Sequence, residues 1–239
     1  MKYQIHSHRH GWEIVQNVPE LAHLWHELEA ALEGLTDEVL IAEFEAQQAR
    51  KINPEATEEG APTGSKMSLS SSINYVLDRT LKRKGWASQS ALFQDEEYKA
   101  GSRWRLDFSK QAELSTLHSV ETGASVTGIA VEVAFNHGEA IAWNLLKPVI
   151  AAELNHVTKE TYIGSGVGVI ICATEKLKEA GAFDSAVGSY EKFLRYLKPL
   201  MNQLTVPMLI VGLEAPETFK VIKMRNEQTK KNIGKVERI

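Results

Sequence analysis

Two carboxylates stand against the local pattern of the chain. Asp107 sits near the end of the run Trp104-Arg105-Leu106-Asp107-Phe108, and Glu132 sits inside Ala130-Val131-Glu132-Val133-Ala134-Phe135. A charge inside a core strand is costly unless it is paired or bound to a cation. A divalent ion relieves the repulsion between two neighbouring carboxylates, and hard oxygen ligands with water completing the shell suit Mg²⁺. The alternative is structural: Glu132 faces solvent on a half-exposed sheet, and Asp107 pairs with Arg103 or Arg105.

Other groupings carry less chemistry. Gly164-Ser165-Gly166-Val167-Gly168 precedes an apolar strand. A dinucleotide or phosphate loop follows a strand and opens a helix, so a turn is expected here instead. Gly60 to Lys66 resembles a phosphate loop only loosely, with the wrong spacing and no strand before it. His6, His8 and His10 alternate, as a transition-metal site on an extended chain requires. The preferred reading is incidental histidines on a half-ordered terminus. Cys172 is the single cysteine, which excludes an internal disulfide and a Cys-rich zinc site and fits a reducing cytosol. Its apolar neighbours predict a buried structural thiol.

These groups need elements to hold them. Pro19 to Gly34 reads as a helix with Leu21, Leu24, Trp25, Leu28 and Leu32 on one face. Asp37 can cap a second helix to about Arg50, and Asn53 to Lys66 reads as a loop. Ser70 to Lys84 is a third helix, ended by Gly85, with Ile73, Val76, Leu77 and Leu81 as its stripe. Trp104 to Phe108 reads as a short strand. Gly128 to Phe135 alternates as a strand, and Gly166 to Ala173 and Val206 to Leu213 are apolar enough to lie inside a sheet covered on both sides. Helices are expected over Glu139 to His156 and Asp184 to Leu204, the second kinked or ended early by Pro199. The order implies an α/β fold, a mixed sheet with helices on both faces. One domain is expected over 1–239: a helical part (about 19–84), an α/β core (about 104–214) and a basic tail (216–239).

Composition sets the class. The chain has 239 residues, 43% hydrophobic and 24% charged, enough for a full core. No apolar run approaches the ~20 residues that span a bilayer. The opening residues lack the apolar stretch of a signal peptide. The net charge of −4 does not advertise a nucleic-acid binder. Charge is uneven, however. Lys220, Lys223, Arg225, Lys230, Lys231, Lys235 and Arg238 crowd the last residues, and Arg79, Lys82, Arg83 and Lys84 form a second cluster. Each is either a solvated face or a surface that steers phosphates.

Several segments together resemble the BglII/BstYI group of type II restriction endonucleases, within the PD-(D/E)xK nuclease superfamily. They are His6-Ser7-His8-Arg9-His10-Gly11-Trp12-Glu13 with Leu24-Trp25-His26-Glu27-Leu28, then Ile73-Asn74-Tyr75-Val76 closing on Lys84-Gly85-Trp86. Asp107-Phe108-Ser109-Lys110, Val131-Glu132-Val133-Ala134-Phe135 and Val206 to Leu213 follow in order. The resemblance covers about residues 4 to 215. It implies a PD-(D/E)xK core with Asp107 and Glu132 as metal-binding carboxylates. Mg²⁺ is then held by both and by the backbone carbonyl of Val133. The implied reaction is hydrolysis of double-stranded DNA at a short palindromic site, giving 5′-phosphate and 3′-hydroxyl ends. Gln89, three residues after Trp86, falls near a further active-site polar position of the family. Asn136, His137, Asn144 and Lys147 fall where the family places base-contacting groups, of the types that read major-groove edges. A homodimer, a cognate DNA methyltransferase and a prokaryotic cytoplasmic setting are implied too. The helix over 139–156 then serves dimer contact or core packing.

Two positions depart from the family. Two residues beyond the Glu the related enzymes carry Gln, Glu or Lys, which helps to hold the attacking water; here Ala134 can do neither. Asn136, His137 or Lys110 could substitute, or the chain is a DNA-binding protein with a disabled nuclease fold. The Asp–Glu separation is also longer, with Gln111 to Thr127 (Glu121 among them) reading as an inserted loop or hairpin.

Overall fold

The structure, a computed structural model, describes residues 1–50, 67–99, 102–115, 119, 125–153, 157–225 and 232–239. Six strands form one sheet: β1 (Tyr3–His8), β2 (Ala87–Ala91), β3 (Arg105–Glu113), β4 (Val126–Val133), β5 (Val167–Ala173) and β6 (Met208–Leu213). Their spatial order is β1-β6-β5-β4-β3-β2. The three inner neighbours β4, β5 and β6 are parallel, and the flanking pairs are antiparallel, so the sheet is mixed.

The helices are α1 (Gly11–Asn17), α2 (Pro19–Glu33), α3 (Asp37–Arg50), α4 (Ser70–Arg83), α5 (Glu96–Lys99), α6 (Ile141–Ala152), α7 (Glu175–Ala180) and α8 (Tyr190–Leu197). Strand alternation divides the core in two. Ile129, Val131, Val167, Val169, Ile171, Leu209 and Val211 face the stripes of α2 and α4. Ala130, Ile170, Cys172, Met208 and Ile210 face Ile141, Leu145 and Val149 of α6 and Phe193 of α8. All seven residues of β5 are buried, as its unbroken apolar run requires of a central strand. Cys172 is a buried thiol that donates weakly to the Val211 carbonyl.

Several boundaries differ from the sequence reading. Thr36, not Asp37, caps α3: its Oγ1 accepts from the Val39 N–H at 3.3 Å. Asp37 instead accepts from the N–H groups of Glu217 and Thr218. The strand read as Trp104–Phe108 runs on to Glu113, because its polar half pairs with the start of β4, Glu113 opposite Val126. The described ends of the expected insertion, Gln111 to Glu113 and Val126 with Thr127, are therefore paired strand; Glu121 lies outside the described residues. The helix expected from Asp184 begins only at Tyr190, where Ser189 caps it by accepting from Lys192 N–H. A turn of 3₁₀ helix precedes α6 at Gly138–Ala140. The basic tail is an antiparallel pair, β7 (Phe219–Arg225) with β8 (Asn232–Arg238), anchored by buried Phe219 and Val221. The N-terminal histidines are ordered: β1 is an edge strand of the sheet, and buried His8 reaches the Leu204 carbonyl at 3.1 Å. The loop expected over Asn53 to Lys66 lies outside the described residues.

Glu27 of α2 ties the helical layer to the sheet. It accepts from Trp86 Nε1 at 2.8 Å and from Lys110 Nζ at 2.7 and 2.9 Å. Glu27→Ala strands the buried Trp86 N–H and leaves Lys110 with the Lys84 carbonyl, and should lower stability by about 1–3 kcal/mol. Urea unfolding measures it, and Glu27→Gln, which keeps an acceptor, should lose less.

Candidate functional site

The ladder between β3 and β4 closes at Phe108 opposite Val131. One step further the strands bring Asp107 across from Glu132. The two carboxylates thus come together although 25 positions separate them in the chain. Asp107 is held on both oxygens. Gln89 Nε2 donates to Oδ1 at 3.0 Å, and the Val133 N–H donates to Oδ2 at 2.7 Å. Gln89 itself sits at φ 52, a left-handed backbone that few non-glycine residues adopt.

Glu132 shares the pleat of Ala130 and points toward α6. Only 2% of it is exposed. Lys147 Nζ of α6 donates to Glu132 Oε2 at 2.7 Å. Glu132 Oε1 is buried with no hydrogen-bond partner among the described residues. The half-exposed alternative therefore fails for Glu132. It fails for Asp107 too, because Arg105 donates to the carbonyls of Gln89 and Lys99, and the group placed by Arg103 is its carbonyl, which accepts from Trp143.

Burial raises both carboxyl pKa values. For Glu132 burial acts first and the charge of Asp107 second, against the opposing pull of Lys147, and the result is pushed up to about 8. Asp107 is raised by burial, opposed by the Val133 N–H, Lys147 and Gln89. A carboxyl that binds its proton more tightly folded than unfolded stabilises the fold at low pH. Without metal, the Glu132 contribution should be complete below its ordinary pKa of 4.5 and lost as pH rises through about 8. Melting temperatures of the metal-free protein across that range should fall more steeply for the wild type than for Glu132→Gln. An equal slope in the two contradicts the assignment.

The donor set fits a hard divalent ion. It comprises the buried Glu132, which carries an orphaned oxygen, and the part-buried Asp107, beside the Val133 carbonyl, which accepts from the Phe135 N–H at 3.2 Å and keeps a second lone pair. Among the described residues no group of three or more His, Cys, Asp and Glu side chains gathers, so solvent or substrate must complete the shell. This suits Mg²⁺ better than a metal that needs a full protein cage.

The remaining sequence candidates divide. Lys110 has the opposite strand parity to Asp107; it points to Glu27 and the Lys84 carbonyl, away from the site. Asn136 and His137 are exposed just beyond β4. Asn144, 1% exposed, donates to Asn136 Oδ1 at 2.9 Å. Asn144 and Lys147 are buried, so neither presents a base-reading surface; burial on the inner face of α6 is the reason. α6 packs its apolar face into the core, which settles the choice between core packing and dimer contact for those residues.

Sequence reasoning missed the other wall of the site. A cleft of about 410 Å³ reaches Asp107 and Gln89 and is walled by Ser71, Asn74, Tyr75, Asp78 and Lys82 of α4. Their spacing of three and four is a polar helical stripe, legible beside the apolar one. The basic cluster noted there is partly neutralised, Lys82 pairing with Asp78 at 2.7 Å.

A crystal structure of restriction endonuclease BglII complexed with a DNA 16-mer aligns with a TM-score of 0.58 at 17% identity, covering 99% of this chain and 100% of that one. A crystal structure of free BglII aligns at 0.43 and 14%, covering 100% and 94%. No curated protein matches the chain. Residues 3–213 match the family described as restriction endonuclease BglII/BglIII. That match runs from the first residue of β1 to the last of β6, so the chain belongs to the BglII/BglIII restriction endonucleases, type II site-specific deoxyribonucleases on the PD-(D/E)xK fold.

Proposed function

We propose that the protein is a Mg²⁺-dependent endonuclease that hydrolyses both strands of duplex DNA at a short palindromic site, acting as a homodimer. The observation that carries this reading is the juxtaposed Asp107–Glu132 pair, with the orphaned Oε1 of the buried Glu132. Such a pair is unfavourable in an empty protein and is relieved by a cation. The BglII structure bound to a DNA 16-mer supports duplex DNA as the substrate.

The chain's own residues divide the work. Gln89 and the Val133 N–H fix the Asp107 carboxylate, which with Glu132 and the Val133 carbonyl would hold the ion. A bound ion supplies Lewis acidity at a phosphoryl oxygen. The α4 stripe and the sheet edge would position the DNA backbone. Asn136 and His137, exposed beyond β4, are of the types that read base edges in the major groove. A palindrome is read by two copies related by a two-fold axis, because protein and duplex symmetry must match. In the reaction the water oxygen bonds to phosphorus, the P–O3′ bond breaks, and a proton ends on O3′. A methyltransferase protecting the same site in the same prokaryotic cytoplasm completes this reading.

Ala134 favours one second reading, a DNA-binding protein whose nuclease centre is disabled. Sequencing the ends of digested unmethylated DNA separates the two. The proposal expects one recurring sequence cut symmetrically on both strands, with 5′-phosphates. Retarded but uncut DNA supports the disabled form.

A further inference from the structure

We propose that Lys147 is a catalytic residue that takes the place of the polar side chain missing at Ala134, presenting a cation to the scissile phosphate and the attacking water. This rests on the nuclease reading above. Ala134 is 1% exposed and packed among apolar side chains, so nothing at that position reaches the reacting atoms. The substitutes that the sequence offered do not serve. Lys110 is bound to Glu27 on the other sheet face, Asn136 accepts from Asn144, and His137 is exposed beyond the strand.

Lys147 reaches the site from α6 instead of from β4. The helix is seated close to β5 at Gly168, where a Cβ would stand 2.6 Å from the Cβ of Pro148. The next residue toward the N-terminus is Lys147, whose side chain is only 10% exposed. Among the described residues, Glu132 is the hydrogen-bond and ion-pair partner of its Nζ, and Glu132 has no other ion-pair partner. Three N–H donors sit on that nitrogen, so two remain for anionic oxygen or water. A buried ion pair contributes little net stability compared with apolar residues of the same size. The presence of a lysine here is therefore better explained by chemistry than by folding.

The step needs no proton from the lysine. As water oxygen bonds to phosphorus and the P–O3′ bond breaks, negative charge grows on the phosphoryl oxygens and then on O3′. A fixed ammonium in a water-poor site stabilises that charge without reorganising.

The test compares wild type, Lys147→Met and Lys147→Arg in two assays. One is single-turnover cleavage of a cognate duplex with Mg²⁺, the other is anisotropy-detected binding of the same duplex in EDTA. Lys147→Met should lose at least about 100-fold in cleavage, as removing one preorganised charge donor does, with binding within about threefold of wild type. Lys147→Arg, which keeps the charge and guards against a folding artefact, should retain at least about a tenth of the rate. The assignment is overturned if Lys147→Met cleaves within about threefold of wild type, if its binding collapses along with cleavage, or if Lys147→Arg is equally dead. A wild type that does not cut overturns the nuclease reading and this one together. A cutting wild type beside a cutting Lys147→Met overturns the lysine alone.

Discussion

Glu132→Ala should lower the cleavage rate by at least about 10³-fold, some 4 kcal/mol of transition-state stabilisation, and leave duplex binding equal or tighter. The carboxylate is 2% exposed, and its free Oε1 has no protein partner among the described residues. Deleting it removes a ligand from the place where Asp107 and Glu132 converge. Binding should not suffer, because one negative charge fewer faces the phosphates. The alanine also leaves the ammonium of Lys147 buried without its counter-ion, which costs stability. Glu132→Gln controls for this: its amide oxygen still accepts from Lys147 at little loss of shape, yet it cannot supply a full charge to a cation. Single-turnover cleavage and anisotropy-detected binding should show both variants bound and inactive. A Glu132→Gln enzyme that cuts at the wild-type rate refutes the site.

Gly166→Ala should destabilise the fold by about 3–5 kcal/mol, the upper end for a single added methyl group. A Cβ there would lie 2.1 Å from the Gly128 carbonyl oxygen and 2.7 Å from that of Ile163. Both are backbone atoms, which cannot swing away as a side chain can. The clash falls where β4 and β5 come together, a few residues from Glu132. Thermal melting and urea unfolding measure the loss, and cleavage should fall with the folded fraction. Gly85→Ala offers a contrast: its Cβ meets nothing within 4 Å, so only the strain of φ 78 is added. The two losses should differ by well over about 1 kcal/mol.

The parts of this structure that the sequence announces are those whose local pattern suffices. The apolar runs of β5 and β6 and the stripes of α2 and α4 are read from periodicity alone. Asp107 and Glu132 are legible for the opposite reason, as charges set against an apolar pattern. The rest depends on contacts distant in sequence. β2 is Ala-Ser-Gln-Ser-Ala, with no strand signal of its own; pairing with β3 makes it extended, and that strand delivers Gln89 to Asp107. β1 carries only Tyr3 and Ile5 on its inner face and becomes a strand by pairing with β6. The helix read from Asp184 starts late, because Ser189 caps it at Tyr190. Lys147 was legible as a polar residue on a helix, though not as the partner of Glu132, because fifteen positions separate them and only the seating of α6 on the sheet joins them.

The central claim is that Asp107, Glu132 and the ion they would hold form a working nuclease centre despite Ala134. Its most direct test is a plasmid digest with purified protein and unmethylated DNA, run in parallel with Mg²⁺ and with EDTA. The account predicts discrete bands with Mg²⁺ and intact plasmid with EDTA. Intact plasmid in both, from protein that still binds the duplex, contradicts it.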